Sequence, residues 1–343
     1  LAVATRGTID AVRFEGLERV NPEVMRNFIE LKPGQRFDPE KAAADATRLV
    51  GRGDFESVDY RFLDENGKNV LTYQAKEKAL GPNTLLFDLN LQTDMEGDTL
   101  WGIRIDHRRS WVNDLGGEWR NTIQIGRPAG VASEFYQPLD LAQRFFVAPQ
   151  LFYTESQQDL YLNETRVARY DVGRFGAAFD VGMAFDTWGE WRLGLERGTV
   201  DTDVSIGTPP PGISGQRVST GLWRTRFYYD QLDNALFPTR GTLAKLTYYE
   251  SNRSLGADDD YRRGEGRVRS VVSRGRNVYE FSVKGGSDFG SAMPAYDWFV
   301  LGGLNNFSGY PIGALRGREY ALGTVNFRRR VWDLSGTLGT GVY

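Results

Sequence analysis

Cysteine and histidine, the residues of thiol and zinc chemistry, are all but missing from this chain, and the charged residues are left as the main candidates for function. Among its 343 residues there is no Cys and a single His, His107. Thiol catalysis, disulfides and zinc patterns are thereby excluded. No G-x-S-x-G elbow and no phosphate-cradling glycine loop occurs. His107 lies beside Arg108 and Arg109 and reads as a rim histidine, because a general base needs partners. The run Ala257-Asp258-Asp259-Asp260 would bind calcium only with ligands from elsewhere. No catalytic, cofactor or metal residue is therefore assigned. Two groups remain. The first is a set of charges on alternate positions: Arg174, Asp180, Arg192, Arg224, Arg226, Arg267, Arg269 and Arg328, with Arg104, Arg108, Arg120, Asp88, Asp106, Glu196, Glu265 and Glu280. Such a set lines a hydrated conduit for ions or unfolded polypeptide, or simply satisfies a polar interior by cross-pairing, and the second explanation covers most of it. The other is "LGGLNNFSGYPIG", Leu301 to Gly313, a long glycine-rich aromatic connection in a chain otherwise joined by tighter turns.

The elements that would carry these residues have two different periods. From about Gly81 onward the helical period gives way to alternation, which Arg329 interrupts in the last apolar face. In "GRFGAAFDVGMAF", Phe175, Ala177, Phe179, Val181, Met183 and Phe185 share one face, while Arg174, Gly176, Ala178, Asp180 and Gly182 take the other. Roughly thirteen such segments are expected, near 83–93, 98–108, 116–126, 131–139, 144–161, 165–185, 190–203, 216–233, 240–252, 261–274, 277–288, 321–331 and 335–343. Short connections such as "NDLGG", "DTWGE" and "DLSG" alternate with longer ones such as "DVSIGTPPPGISGQ", the layout of an outer-membrane barrel. Trp111, Trp119, Trp188, Trp191 and Trp332 abut the short turns, where an interfacial aromatic girdle is expected. The competing architecture, a soluble β-sandwich, rarely has strands of this length.

Residues 7–79 read differently. Thr8 to Phe14 alternates like a strand; Asn21-Pro22 opens a helix with Val24, Met25, Phe28 and Ile29 on one stripe; Asp38-Pro39 opens a second, alanine-rich helix ending near Gly51. Two alternating runs joined by Asp64-Glu65-Asn66-Gly67 complete a β-α-α-β-β unit. Composition agrees with a barrel following this unit. Mean hydropathy is −0.45 and no apolar run reaches the length of a membrane helix, yet barrel strands dilute that signal. The net charge of −3 provides no field that would recruit nucleic acid.

The unit carrying "RVNPEVMRNFI", "GQRFDPEKAAADATRLVGRGDFESVDYRF" and "NVLTYQAKEK" resembles a polypeptide-transport-associated (POTRA) domain. With "GPNTLLFDLNLQ", "LGGEWRNTIQIG", "EFYQPLD", "FFVAPQLFY" and "LGGLNNFSGY", the chain resembles the C-terminal membrane half of patatin-like phospholipase autotransporters, the d subclass of type V secretion. The resemblance covers nearly the whole chain; one POTRA sets it apart from two-partner transporters and the main barrel-assembly insertase, which carry more. It implies a sixteen-strand barrel in the outer membrane with the POTRA in the periplasm. It also implies an in-folded loop after the eleventh strand, tipped by a small aliphatic residue, arginine, glycine and an aromatic. The matching positions are Phe307, Ser308, Gly309 and Tyr310, after Gly302 and Gly303. Tyr310 would pack on the inner wall. Ser308 replaces the arginine, so the family's ion pair to the wall is lost at this position, with Arg316 or Arg318 as its conceivable substitutes. The alternating period alone also permits an outward surface loop.

Further expectations follow from the resemblance and the ends of the chain. Residues 1–6 would link to a missing upstream domain, a patatin-like lipase holding the catalytic Ser and Asp, and about three barrel strands would be missing after Tyr343. The implied partners are outer-membrane lipids, the chain's own upstream passenger, periplasmic chaperones, the barrel-assembly machinery and, as an option, a second copy. The implied role is secretion or display of that passenger; the alternative is assembly or insertion of other outer-membrane proteins.

Overall fold

A computed structural model gives the fold, and the structure describes residues 2–3, 7–79, 81–93, 99–162, 165–208, 216–235, 237–303, 306–333 and 341–342. The chain is mainly β. Strands β1 (Ala2–Val3) and β2 (Ala11–Glu15) are followed by helices α1 (Pro22–Met25) and α2 (Pro39–Gly51), then β3 (Phe55–Glu65) and β4 (Lys68–Glu77). These four strands form one sheet in the order β1-β3-β4-β2, with β2 parallel to β4 and β3 antiparallel to it. Both helices start as their sequences dictate: Asn21 Oδ1 accepts from the Glu23 N–H at 2.9 Å and Asp38 Oδ1 from the Glu40 N–H at 2.9 Å, each ahead of a proline that needs no donor. α2 buries Ala42, Asp45, Ala46 and Leu49, an i, i+3, i+4, i+7 stripe laid on the sheet. α1 is shorter than its apolar stripe suggests. After Met25 the chain tightens into i+3 turns, with the Asn27 N–H donating to Val24 O and the Phe28 N–H to Met25 O, and the Asn27 side chain taking Glu23 O.

The rest of the chain begins with β5 (Asn83–Thr93), β6 (Thr99–Arg109), β7 (Glu118–Gly126), β8 (Ala129–Pro138), β9 (Phe145–Leu162) and β10 (Thr165–Phe185). It continues with β11 (Gly189–Gly207), β12 (Gln216–Asp230), β13 (Gly241–Ser251), β14 (Tyr261–Arg274) and β15 (Asn277–Ser287). Two short strands, β16 (Phe299–Leu301) and β17 (Leu315–Gly317), lie within the next connection, followed by β18 (Glu319–Arg329), β19 (Trp332–Asp333) and β20 (Gly341–Val342). Strands β5 to β15 and β18 form one twelve-stranded sheet in sequence order. Eleven strands thus precede the long connection, as the alternating segments predict. Among the described residues no ladder joins β5 to β18, so the sheet is open. The expected thirteenth segment, 335–343, falls largely outside the described residues, and its described strand, β20, pairs with β19.

The alternation separates two faces. On β10, Phe175 and Phe179 are 58% and 49% exposed while Ala178 and Asp180 are buried, and on β11 Leu193 and Leu195 are exposed while Arg192 is buried. Apolar side chains therefore lie on the outer surface, an arrangement stable against acyl chains rather than water. No helix among the described residues is long and apolar enough to cross a membrane.

The chain forms two compact units. The first comprises Leu1–Phe87, Ile105–Asn121 and Ser133–Ala148, and the second Asp88–Arg104, Thr122–Ala132 and Pro149–Tyr343. Within the first, the short turns after β6 and β8 are tied to the helical layer: Asn21 Nδ2 donates to Asp114 O at 2.9 Å, Asn27 Nδ2 to Leu141 O at 3.2 Å and Arg52 Nη2 to Gln143 Oε1 at 2.8 Å. Trp111 departs from the girdle expected of it. With a left-handed φ of 55° it turns onto the core of Ile9, Val24, Leu49 and Phe55. Trp119 and Trp191 are each 49% exposed.

Candidate functional site

The inward face of the second unit is built from strand register. Asp180, Gly194, Arg224, Tyr249 and Arg263 stand opposite one another across β10 to β14. Gly194 matters because a Cβ there would lie 1.9 Å from Asp180 Oδ1; its absence lets Arg224 reach across β11. Fully buried Asp180 accepts from Arg224 Nε at 3.2 Å and from Arg226, with Arg192 Nη1 at 3.6 Å. Glu190 and Glu196 complete the charge balance, Glu190 with Arg192 at 2.7 Å and Glu196 with Arg224. A buried carboxylate is tolerable when surrounded by cations in this way. Elsewhere on this face Glu280 pairs with Arg269 at 2.6 Å and Arg328 at 3.7 Å. Arg267 shares its row with Lys245 and Lys284, a local excess of positive charge. In the first unit Glu118 pairs with Arg108 and with Arg120 at 2.7 Å. His107 is held between Asn83 and Asn121.

The connection from β15 to β18 lies on this polar face. Its 3-10 turn, Ala295–Asp297, and the antiparallel β16–β17 pair bring two charged side chains to the wall. Asp297 is 8% exposed; it pairs with Arg174 of β10 and accepts from Tyr249 Oη of β13 at 2.8 Å and from Tyr261 Oη of β14. Arg174 also donates to Tyr296 O at 3.1 Å, and Arg263 Nε to Asp297 O at 3.2 Å. Arg316 donates to Tyr170 Oη of β10, to Gln158 Oε1 of β9, and to Ala295 O at 2.8 Å. Phe299 lies over Gly286 of β15, where a Cβ would come within 2.4 Å of its ring, and the Arg263 guanidinium lies over the ring at 4.2 Å from its centroid. Lys284 donates to Asn306. Between segment and wall is a cavity of about 190 Å³ lined by Arg174, Glu196, Arg224, Arg226, Tyr249 and Asp297, among others.

The motif positions are placed apart from this anchorage. Gly302 and Gly303 have φ of 128° and 88°, which turns the chain back so that the Gly303 N–H donates to Tyr310 O at 2.9 Å. Phe307, Ser308, Gly309 and Tyr310 are exposed. The Tyr310 ring stacks on Phe307 at 5.3 Å, within its own loop, where packing on the inner wall was expected. Of the two substitute arginines, Arg316 reaches the wall but meets neutral oxygens, while Arg318 pairs with Asp288 of the same segment at 3.4 Å. Asp297, Tyr249 and Tyr261 were not anticipated. The available signal was a lone acid inside the aromatic run "AYDWF", which has no reason to be apolar-flanked unless a cation awaits it.

A β-α-α-β-β unit ahead of a large antiparallel sheet, with lipid-compatible residues on one face and an ion-paired segment folded onto the other, defines a POTRA-bearing barrel-type protein. The Omp85 superfamily domain matches residues 123–341, and the POTRA domain described as surface antigen variable number repeat matches residues 7–78. The chain belongs to the Omp85 superfamily. Within this chain the POTRA is the N-terminal element, not a C-terminal one. Among solved structures, BamA from Haemophilus ducreyi lacking POTRA domains 1-3 superimposes with a TM-score of 0.65 at 15% identity, over 89% of this chain and 60% of that one. CdiB from Escherichia coli gives 0.59 at 11% identity, over 96% and 62%. CdiB from Acinetobacter baumannii gives 0.56 at 8%, over 94% and 60%. The likeness is one of fold, and the chain spans about three fifths of the length of these structures.

Proposed function

We propose that this chain is an outer-membrane translocator, with its POTRA in the periplasm and the polar face of its sheet lining a route for a polypeptide. The observation that carries this reading is the segment 288–318 seated by charged side chains on that polar face, while the opposite face is apolar and exposed. A closed sixteen-strand barrel and a patatin-like lipase passenger are the finer form of the reading, supported by the sequence resemblance. The POTRA contributes an edge strand: β2 ends the order β1-β3-β4-β2 and offers its free side to an extended peptide, which adds main-chain hydrogen bonds without demanding a sequence. Deleting residues 7–79 from the full-length protein should abolish surface display of the passenger while the barrel still inserts. Undiminished display after that deletion would refute the role. The second reading, a factor that assembles or inserts other outer-membrane proteins, uses the same parts. Depletion followed by a census of outer-membrane proteins separates the two, since a general deficit points to assembly and an unchanged census to a dedicated transporter.

A further inference from the structure

We infer that the ion pair holding the in-folded segment is reversed in polarity, with the acid on the segment (Asp297) and the base on the wall (Arg174), and that this pair keeps the route closed. The inference rests on the translocator reading and adds its gate. Three observations converge on it. The motif tip cannot anchor the segment by charge, because Ser308 stands at the arginine position and is exposed, and Phe307 and Tyr310 stack on each other. Arg316, the other cation the segment brings to the wall, meets a tyrosine hydroxyl and an amide oxygen there, so among the described residues it forms hydrogen bonds but no ion pair. Asp297, by contrast, is nearly inaccessible and is met by donors from β10, β13 and β14 at once.

The arrangement behaves as a unit for a physical reason. A carboxylate in so little solvent is stable only while its donors are present, and Arg174 in turn has, among the described residues, a single carboxylate within ion-pair distance, Asp297. Neutralising Arg174 leaves Asp297 as an under-compensated buried charge, and neutralising Asp297 leaves the half-buried Arg174 without its carboxylate; either is relieved by letting the segment leave the wall. The side chains of Arg174 and Arg263 donate to Tyr296 O and Asp297 O of the same turn, so loss of the pair loosens the segment where it meets β10 and β14. Opening would bare the cavity lined by Glu196, Arg224 and Arg226, whose cations remain balanced by Asp180 and Glu196. The wall thus stays folded when the gate opens.

The test uses the full-length protein in planar bilayers, with heat-modifiable gel mobility reporting that the barrel is folded. Six forms are compared: Asp297→Asn, Arg174→Gln, the double variant, Asp297→Glu, Tyr261→Phe, and deletion of residues 288–318. Asp297→Asn and Arg174→Gln should each raise open-state occupancy at least tenfold, and the double variant should open no more than the stronger single, because both remove one shared interaction. Asp297→Glu should restore closure in part. If deletion opens the pore while both single variants stay closed, the gate assignment is overturned and the plug reading stands. If deletion itself leaves conductance unchanged, both fall. Where Asp297→Asn compromises folding, Arg174→Gln and Tyr261→Phe decide between the outcomes, with closed pores in both counting against the assignment.

Discussion

At the scale of single residues, buried carboxylates organise both halves of this protein, and each is surrounded by a different kind of donor. Asp180 relies on arginines, whereas Glu77 relies mainly on backbone. Glu77 Oε1 accepts from the N–H groups of Glu18, Arg19 and Val20 at 2.9, 3.0 and 3.0 Å, and Oε2 from Arg19 Nε at 2.7 Å. Burial favours the neutral acid, but the Val20 N–H, the Arg19 guanidinium and the remaining N–H groups outweigh it and hold Glu77 below the usual carboxylate range. A folded-state pKa below the unfolded one means that the stabilisation is complete above the unfolded value, about 4.3, and is lost as pH falls through the folded value. Amide-exchange protection of Lys68–Glu77 in the full protein should accordingly decline on acidification below about pH 4.3. Glu77→Gln should lower protection at neutral pH and flatten that decline; an unchanged profile would show that the cluster is not the acid-sensitive element.

At the scale of elements, α2 makes a comparison of cap against core possible. Asp38 caps its first turn, and replacing it with Ala should cost about 1 kcal/mol. Asp45, further along the helix and fully buried, accepts from the Glu30 N–H at 2.7 Å, the Leu31 N–H at 3.1 Å and Tyr73 Oη at 3.0 Å. Asp45→Ala strands those donors, each at about 1–3 kcal/mol, and should therefore lower the denaturation midpoint of the POTRA well beyond the effect of Asp38→Ala. Denaturant titration of both variants, followed by protection of β3 and β4, checks the ranking. The same logic explains why α1 can be a single turn: the connection from it to α2 is fixed by Asp45 rather than by helix propagation.

At the scale of the whole molecule, the two-faced sheet carries a prediction about its solvent. Val283 lies on the exposed apolar face of β15, 63% exposed, while its neighbour Ser282 stands opposite Arg269 and Thr324 on the polar face. Val283→Arg should cost about 2–4 kcal/mol in a bilayer, if Val283 sits near the membrane midplane, and Ser282→Arg much less. Urea titration of the folded protein in liposomes measures both. Equal costs would contradict the assignment of acyl chains to the Val283 face.

The amino-acid sequence by itself determined which face each strand shows, because a two-residue period leaves side chains no other choice: Phe175 and Phe179 fall on one face and Asp180 on the other. It also determined the caps at Asn21 and Asp38, which are local hydrogen bonds, and the eleven strands before the long connection, which turn residues punctuate. Tertiary structure alone decided where that connection goes and which side chains receive it. Asp297 and Arg174 are 123 residues apart. No local pattern encodes such a meeting; it follows from strand order, from register and from the space over Gly286. The motif at Ser308 pointed to the right segment and the wrong anchor, since a lost arginine is visible in sequence but the opposite charge that takes over its duty appears only once the wall is assembled.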